Sequence, residues 1–331
     1  MSVPVVTFFN PKAGIGKTSL LYHTAWMLAE LGHSVLVVDL DPQATLTTRL
    51  VDEDTLEDLW TQETARARTV SQAVEPVLKG GELREADFVR VADYLALLPG
   101  DVALAAFEDV LAQAWPQCLG DGDLLRPFQT MTAFWHMAQS AATRADAELI
   151  LFDVGPNLGA INRAALVATD HVVVFLAGDL FSIQALRTLG AALTGWRSDW
   201  TKRTANYNNP RMALPSGAMV PAGYVVQQHE VRLTRPVRVH TRWRDRVPAE
   251  YRTCGLAKTE FTGYVEGDPE CLAIMKHYRS LVAMAQEAGL PMFALRAADG
   301  ALGAHGRAVQ AAYSDFKELV EHLLARIGDH L

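Results

Sequence analysis

The segment from Val3 to Asp41 limits the folds open to this chain more than any other. Residues 10–18 read Asn-Pro-Lys-Ala-Gly-Ile-Gly-Lys-Thr and lie between two apolar runs, Val3–Phe9 and Ser34–Leu40. The first run is β-branched and aromatic without polar alternation, the pattern of a strand covered on both faces of a parallel sheet. Ser19–Leu31 follows, with Leu20, Leu21, Met27, Leu28 and Leu31 spaced for a helix that stops at Gly32. Strand, turn, helix and strand make a βαβ unit with a right-handed crossover. The fold expected from it is α/β: a twisted, mostly parallel sheet with helices on both faces, enlarged by helical insertions.

The turn ends in Gly16-Lys17-Thr18, the end of the phosphate-binding pattern G-x-x-x-x-G-K-[ST]. Pro11, which has no N–H, stands where the first glycine belongs, and Lys12 brings a second cation into the loop. Backbone N–H groups from about Gly14 to Thr18, with the positive end of the helix behind them, are expected to cradle the phosphates of a nucleotide. Lys12, Ala13, Gly14, Ile15, Gly16, Lys17, Thr18 and Ser19 form the expected binding loop. Lys17 would reach the β and γ phosphates and the Thr18 hydroxyl would reach magnesium. A turn of this composition that binds nothing is the alternative.

Leu149–Phe152 is a second buried-type strand, ending in Asp153 at the carboxyl edge of the sheet, where a carboxylate can hold magnesium through water. A turn-forming aspartate is the other reading. Asp39 and Asp41, being alternate residues at a strand end, point to opposite faces and so should differ in role, one of them possibly serving only backbone donors. Val172–Leu176 and Gly223–Val226 add two strands. Ligands lie beyond the carboxyl ends of such strands, which puts Gly178, Asp179, Gln227 and Gln228, the last outside the residues described below, at the rim of one cleft.

These motifs together resemble the ParA and MinD group of deviant Walker ATPases, the ParA branch most closely. Lys12, Gly14, Gly16, Lys17 and Thr18 match the group's K-G-G-x-G-K-[ST] loop, Asp39–Gln43 (DLDPQ) its aspartate segment, and Leu149–Gly159 (LILFDVGPNLG) its third motif. Ala13 stands where the pattern has glycine, and a left-handed backbone there would strain alanine by about 1 kcal/mol or more. The resemblance implies an ATP- and magnesium-dependent switch: a homodimer that sandwiches ATP, holds a cargo, adaptor protein or DNA, and lets go after slow, partner-stimulated hydrolysis. It further implies that Lys12 acts on the partner subunit's phosphates, that Asp41 orients the attacking water, that Asp39 supports magnesium, and that Gln227 contacts adenine. A surface glutamine is an equal reading of Gln227.

Eight Lys or Arg stand against Asp245 and Glu250 from Arg232 to Lys258, a local charge of +6 in a chain whose net charge is −8. Trp243 and Tyr251 interleave them, so Arg235, Arg238, Arg242, Arg244 and Arg246 are candidates for DNA contact without sequence preference. A solvated face, a dimer-stabilising patch and contact with an acidic partner are the alternatives. The overall acidity excludes a protein coated in positive charge.

One domain spanning 1–331 is expected, with 51–147 rich in helical insertions around a strand at Tyr94–Leu98, and 255–331 an extension. Trp60, Trp115 and Trp135 are expected in the core. The stripe Phe316, Leu319, Val320, Leu323, Leu324 and Ile327 reads as a packed terminal helix, since its polar face has no Lys-Arg cluster for a membrane. No apolar run reaches the ~18 residues of a membrane span. The three scattered cysteines read as free thiols, which suits a cytoplasmic protein, and the resemblance adds nucleoid association as an expectation. Three rival functions remain: an ATP-dependent small-molecule ligase or phosphotransferase on this fold, an iron–sulfur electron carrier of the nitrogenase-reductase type, for which only Cys118 lies in the middle region, and a non-enzymatic DNA-binding or interaction protein with a weakened ATP site.

Overall fold

Eight strands form one sheet in the order β3-β4-β2-β5-β1-β6-β7-β8, every pairing parallel except that of β3 with β4. The computed structural model describes residues 2–61, 66–207, 209, 212–227, 242–257 and 259–328. In chain order the strands are β1 Val5–Phe9, β2 Val35–Asp39, β3 Val89–Ala92, β4 Leu95–Leu98, β5 Leu149–Asp153, β6 His171–Leu176, β7 Val220–Gln227 and β8 Cys271–Met275. The five strands from β4 through β6 in sheet order are wholly buried, which is why they read as unbroken apolar runs.

Successive residues of those strands serve opposite faces. Val5, Phe9, Leu36 and Val38 pack into a core with α4 (Val70–Leu78), α5 (Phe107–Gln117), α7 (Ala133–Ala145), α8 (Ala160–Val167) and α9 (Leu180–Ala205). Val6, Phe8, Val35 and Val37 pack into a second core with α1 (Lys17–Glu30), α11 (Arg279–Ala288) and α12 (Ala304–Ile327). The remaining helices are α2 (Thr47–Leu50), α3 (Glu53–Thr61), α6 (Leu125–Met131) and α10 (Val247–Thr253). The terminal stripe lies inside the second core, with Phe316, Leu319, Val320, Leu323 and Ile327 all buried. The C-terminal segment therefore supplies an edge strand and covers one face of the sheet.

Trp115 is buried and Trp135 packs half-buried against the first core, but Trp60 is 46% exposed, contrary to expectation. It lies near the end of α3, a helix of nine residues that buries only Leu56 and Leu59. The three cysteines are free. No helix among the described residues is long and apolar enough to cross a membrane.

Candidate functional site

The phosphate loop leaves β1 at Asn10, which is fully buried; its amide donates to the carbonyl of Phe175 on β6, and its Oδ1 accepts the Lys12 N–H at 2.7 Å. Asn10 thus fixes the start of the loop, a role its sequence position beside Pro11 does not announce. Gly14 (φ +73°) and Gly16 (φ +88°) take the left-handed backbone that favours glycine. Ala13 is not among the residues of positive φ, so its Cβ carries no strain of that kind. Gly16 caps α1 without a side-chain bond, leaving the first N–H groups of the helix to a ligand.

Lys17 and Asp153 meet beneath the loop. Lys17 is 7% exposed and Asp153 fully buried, with Nζ and Oδ1 3.2 Å apart. Neither atom has a hydrogen-bond partner among the described residues. The second oxygen of Asp153 accepts the Thr18 hydroxyl at 2.8 Å. A buried ammonium and a buried carboxylate oxygen with capacity unspent, beside a hydroxyl, fit a phosphate and a divalent cation. No group of three or more His, Cys, Asp or Glu that could hold a metal occurs among the described residues. A single carboxylate with a hydroxyl suits magnesium, which is usually shared with substrate phosphates.

Asp39 does something different. Its Oδ2 accepts both the N–H (2.8 Å) and the hydroxyl (2.7 Å) of Thr47, and its Oδ1 accepts the Asp41 N–H. Burial, and then the charge of Asp153, push its carboxyl up to about 7. Thr47 in turn accepts the Gly100 N–H at 2.9 Å, and a Cβ on Gly100 would lie 2.7 Å from the Asp39 carbonyl oxygen. Through these contacts Asp39 anchors α2 to the carboxyl edge of the sheet, close to the charge of Asp153. Asp41, 9% exposed, accepts the Gln43 N–H and faces the Gly155 turn that follows β5.

Beside the loop lies a cavity of about 510 Å³ lined by Lys12, Ala13, Gly14, Ile15, Gly16 and Ser19 on one side and by Phe175, Gln227, Met275 and Tyr278 on another. Gln227 thus reaches the same cleft as the loop, while Lys17 and Thr18 face Asp153. Lys12 is held within its own chain: Nζ lies 2.5 Å from Asp179 Oδ2 and 5.4 Å from the centre of the exposed Phe181 ring. Burial acts to raise the Asp179 carboxyl, but the Lys12 ammonium and the Ser182 N–H and hydroxyl outweigh it and hold it below the ordinary range.

The basic segment is brought together only in part. Arg235 and Arg238 lie outside the described residues. Arg244 pairs with Glu266 at 2.6 Å and Arg246 with Glu250 at 2.9 Å, a carboxylate shared with Arg187 of α9. Arg242 stacks over Trp243. Arg244 and Arg246 are thus both engaged in ion pairs, Arg244 with Glu266 outside the basic run and Asp245 within it, and Arg246 with Glu250.

The AAA_31 family model, described as an AAA domain, matches residues 3–203. The chain belongs to this family. It is a ParA-like P-loop protein. The cell division protein PomZ of Myxococcus xanthus is 30% identical over 187 residues, 55% of this chain and 49% of PomZ. The chromosome-partitioning ATPase Soj of Thermus thermophilus is 28% identical over 209 residues, 63% of this chain and 66% of Soj. The match thus spans less than two thirds of either relative's own length. Protein DIP2308 of Corynebacterium diphtheriae shares the fold over 99% of this chain and 100% of its own, with a TM-score of 0.71 and 21% identity.

Proposed function

We propose that this chain is a magnesium-dependent ATPase that works as a dimerisation switch. The observation that carries it is the buried Lys17–Asp153 pair, with hydrogen-bonding capacity unspent on both atoms and the Thr18 hydroxyl alongside. In this reading Lys17 holds the β and γ phosphates, while Thr18 and Asp153 hold magnesium directly and through water. Magnesium there supplies neutralising charge on the phosphate oxygens. Asp41 accepts a hydrogen bond from the water whose oxygen attacks the γ-phosphorus as the bond to ADP breaks.

Lys12 gives the reading its second half. A lysine in the first turn of the loop is redundant with Lys17 toward its own nucleotide, but across a two-fold axis it can neutralise the partner's phosphates. Its pairing with Asp179 is then the resting state, and release from Asp179 accompanies assembly. ATP-dependent DNA binding without sequence preference, if it is part of the switch, rests on Arg242 and on residues outside those described. Retardation of duplex DNA with ATP but not ADP, falling steeply with salt, checks it.

Size-exclusion chromatography tests the switch: wild type should elute as a dimer with ATP and magnesium and as a monomer with ADP. Lys12→Ala should bind ADP normally yet stay monomeric, and Asp41→Ala should persist as an ATP dimer because hydrolysis is slowed. A Lys12→Ala protein that dimerises and turns over normally would remove the switch while leaving the ATPase.

A further inference from the structure

Three long cationic side chains line the cavity beside the phosphate loop: Lys12, Arg49 and Lys276. Two are committed, Lys12 to Asp179 and Lys276 to Asp315 at 3.2 Å. Arg49 makes no side-chain hydrogen bond or ion pair with any described residue. It is half-buried on α2, the short helix that Asp39 holds through Thr47. Ser19, in the first turn of α1, lines this cavity and also the adjoining cavity of about 800 Å³, as do Arg49 itself and Val282.

That location selects one part of a nucleotide. When the β and γ phosphates occupy the loop and face Lys17, the first turn of the following helix lies against the α-phosphate. A guanidinium there, with no acceptor among the described residues, presents a planar fork suited to two phosphate oxygens. We propose that Arg49 is a nucleotide-positioning residue that donates to the α-phosphate and so ties α2, and with it the Asp41 loop, to the bound nucleotide. The inference rests on the nucleotide reading above. Because the α-phosphate is common to ADP and ATP, Arg49 acts on both, whereas Lys12 acts only where a second subunit's γ-phosphate is present.

The connection to the hydrolytic loop is covalent and short. Residues 42–46 separate Asp41 from Thr47, and the Ala44 N–H already donates to the Asp41 carbonyl at 2.8 Å. Holding Arg49 from the ligand side and Thr47 from the sheet side fixes both ends of α2, and thereby limits the movement of Asp41.

Calorimetric titration with ADP and with a non-hydrolysable ATP analogue, together with hydrogen exchange over residues 44–50, tests the assignment. Arg49→Gln should weaken ADP and the analogue by the same factor, roughly tenfold, which is about 1.4 kcal/mol. ADP should slow exchange over 44–50 in wild type and much less in Arg49→Gln, and Arg49→Lys should recover part of the affinity. Arg49 has no hydrogen-bond or ion-pair partner among the described residues, so its variants should melt as wild type does. Unchanged ADP affinity, or a loss confined to the ATP analogue, would overturn the α-phosphate assignment while leaving the nucleotide reading intact. A wild-type protein that binds neither ligand would overturn that reading, and this one with it.

Discussion

Lys17, buried, and Arg252, with its side chain 11% exposed, are both cations facing a buried aspartate, yet they sit in opposite states. Arg252 is bidentate on Asp268 at 2.8 and 2.7 Å, and the Tyr224 hydroxyl donates to the same carboxylate at 2.7 Å. The carboxylate of Asp268 is thereby saturated, and the arrangement joins α10 to β7 and the turn before β8. Lys17 faces Asp153 at 3.2 Å with no hydrogen bond made by Nζ or by the facing oxygen among the described residues. Desolvating a charge without full compensation is costly, so an arrangement left unfinished points to completion from outside. Charge density marks both regions equally. Unspent hydrogen-bonding capacity separates the ligand site from the structural network.

The comparison breaks most sharply at Lys17. Lys17→Ala should weaken ADP binding by a factor on the order of 1000, about 4 kcal/mol, while stability falls by less than in the Arg252 variant, because a single 3.2 Å ion pair to Asp153 is lost rather than a bidentate one. Titration calorimetry and thermal melting read the two effects separately. A mutant that binds ADP as wild type does would make Lys17–Asp153 structural like its counterpart.

Arg252→Leu should do the reverse. It leaves the fully buried Asp268 with Tyr224 and one backbone N–H as donors, and should lower unfolding stability by about 3 kcal/mol in a denaturant titration. At temperatures where the variant is folded, its ADP affinity should match wild type. Lost binding with unchanged stability would place Asp268 in the functional network.

A third buried group sharpens the rule, because it avoids the charge altogether. His23 lies against Phe316 with ring centroids 4.9 Å apart and gives Nδ1 to the Ser19 carbonyl at 2.7 Å. Burial, against a smaller opposing effect of that bond, lowers its pKa to about 4. The folded state therefore binds fewer protons than the unfolded one between pH 6.5 and 4, so stability is complete above that window and falls as pH drops through it. The loss should reach about 3 kcal/mol by pH 4. His23→Phe should flatten that part of the pH profile, and a profile unchanged by the substitution would place the acid sensitivity elsewhere.

The same contrast explains what could be read from the sequence. The βαβ unit, β5 and β6 fall within two residues of the expected bounds, because a strand buried on both faces leaves no polar alternation to confuse it with anything else. β8 was not anticipated: as an edge strand, Cys271–Met275 buries only Leu272 and Met275, and five such residues carry no period. The loop residues were legible because they are contiguous. The anchoring role of Asp39 was not, since Thr47 and Gly100 converge on it from eight and about sixty residues away. A charge count over Arg232–Lys258 likewise cannot see Glu266, Asp268 or Arg187, which supply the pairings from neighbouring elements.

The smallest effect concerns strain, which enters the site region at Ala44. This residue, 3% exposed, has φ +49°, a left-handed backbone that costs alanine about 1 kcal/mol or more. It lies between Asp41 and the α2 anchor, and its N–H donates to the Asp41 carbonyl, so the strained conformation holds the loop that carries the hydrolytic carboxylate. Ala44→Gly relieves that strain and adds unfolded-state entropy of nearly equal size, about 0.5 to 1 kcal/mol. The net change in stability should therefore be a gain of no more than about 0.5 kcal/mol. Freedom at this position should appear instead as faster hydrogen exchange over residues 42–46 and slower ATP turnover, with ADP affinity unchanged because the phosphate loop is untouched. A loss of more than about 1 kcal/mol would show that burial of the Ala44 methyl outweighs its backbone strain. Unchanged exchange with unchanged turnover would show that Asp41 is positioned by Gln43 and the Gly155 turn alone.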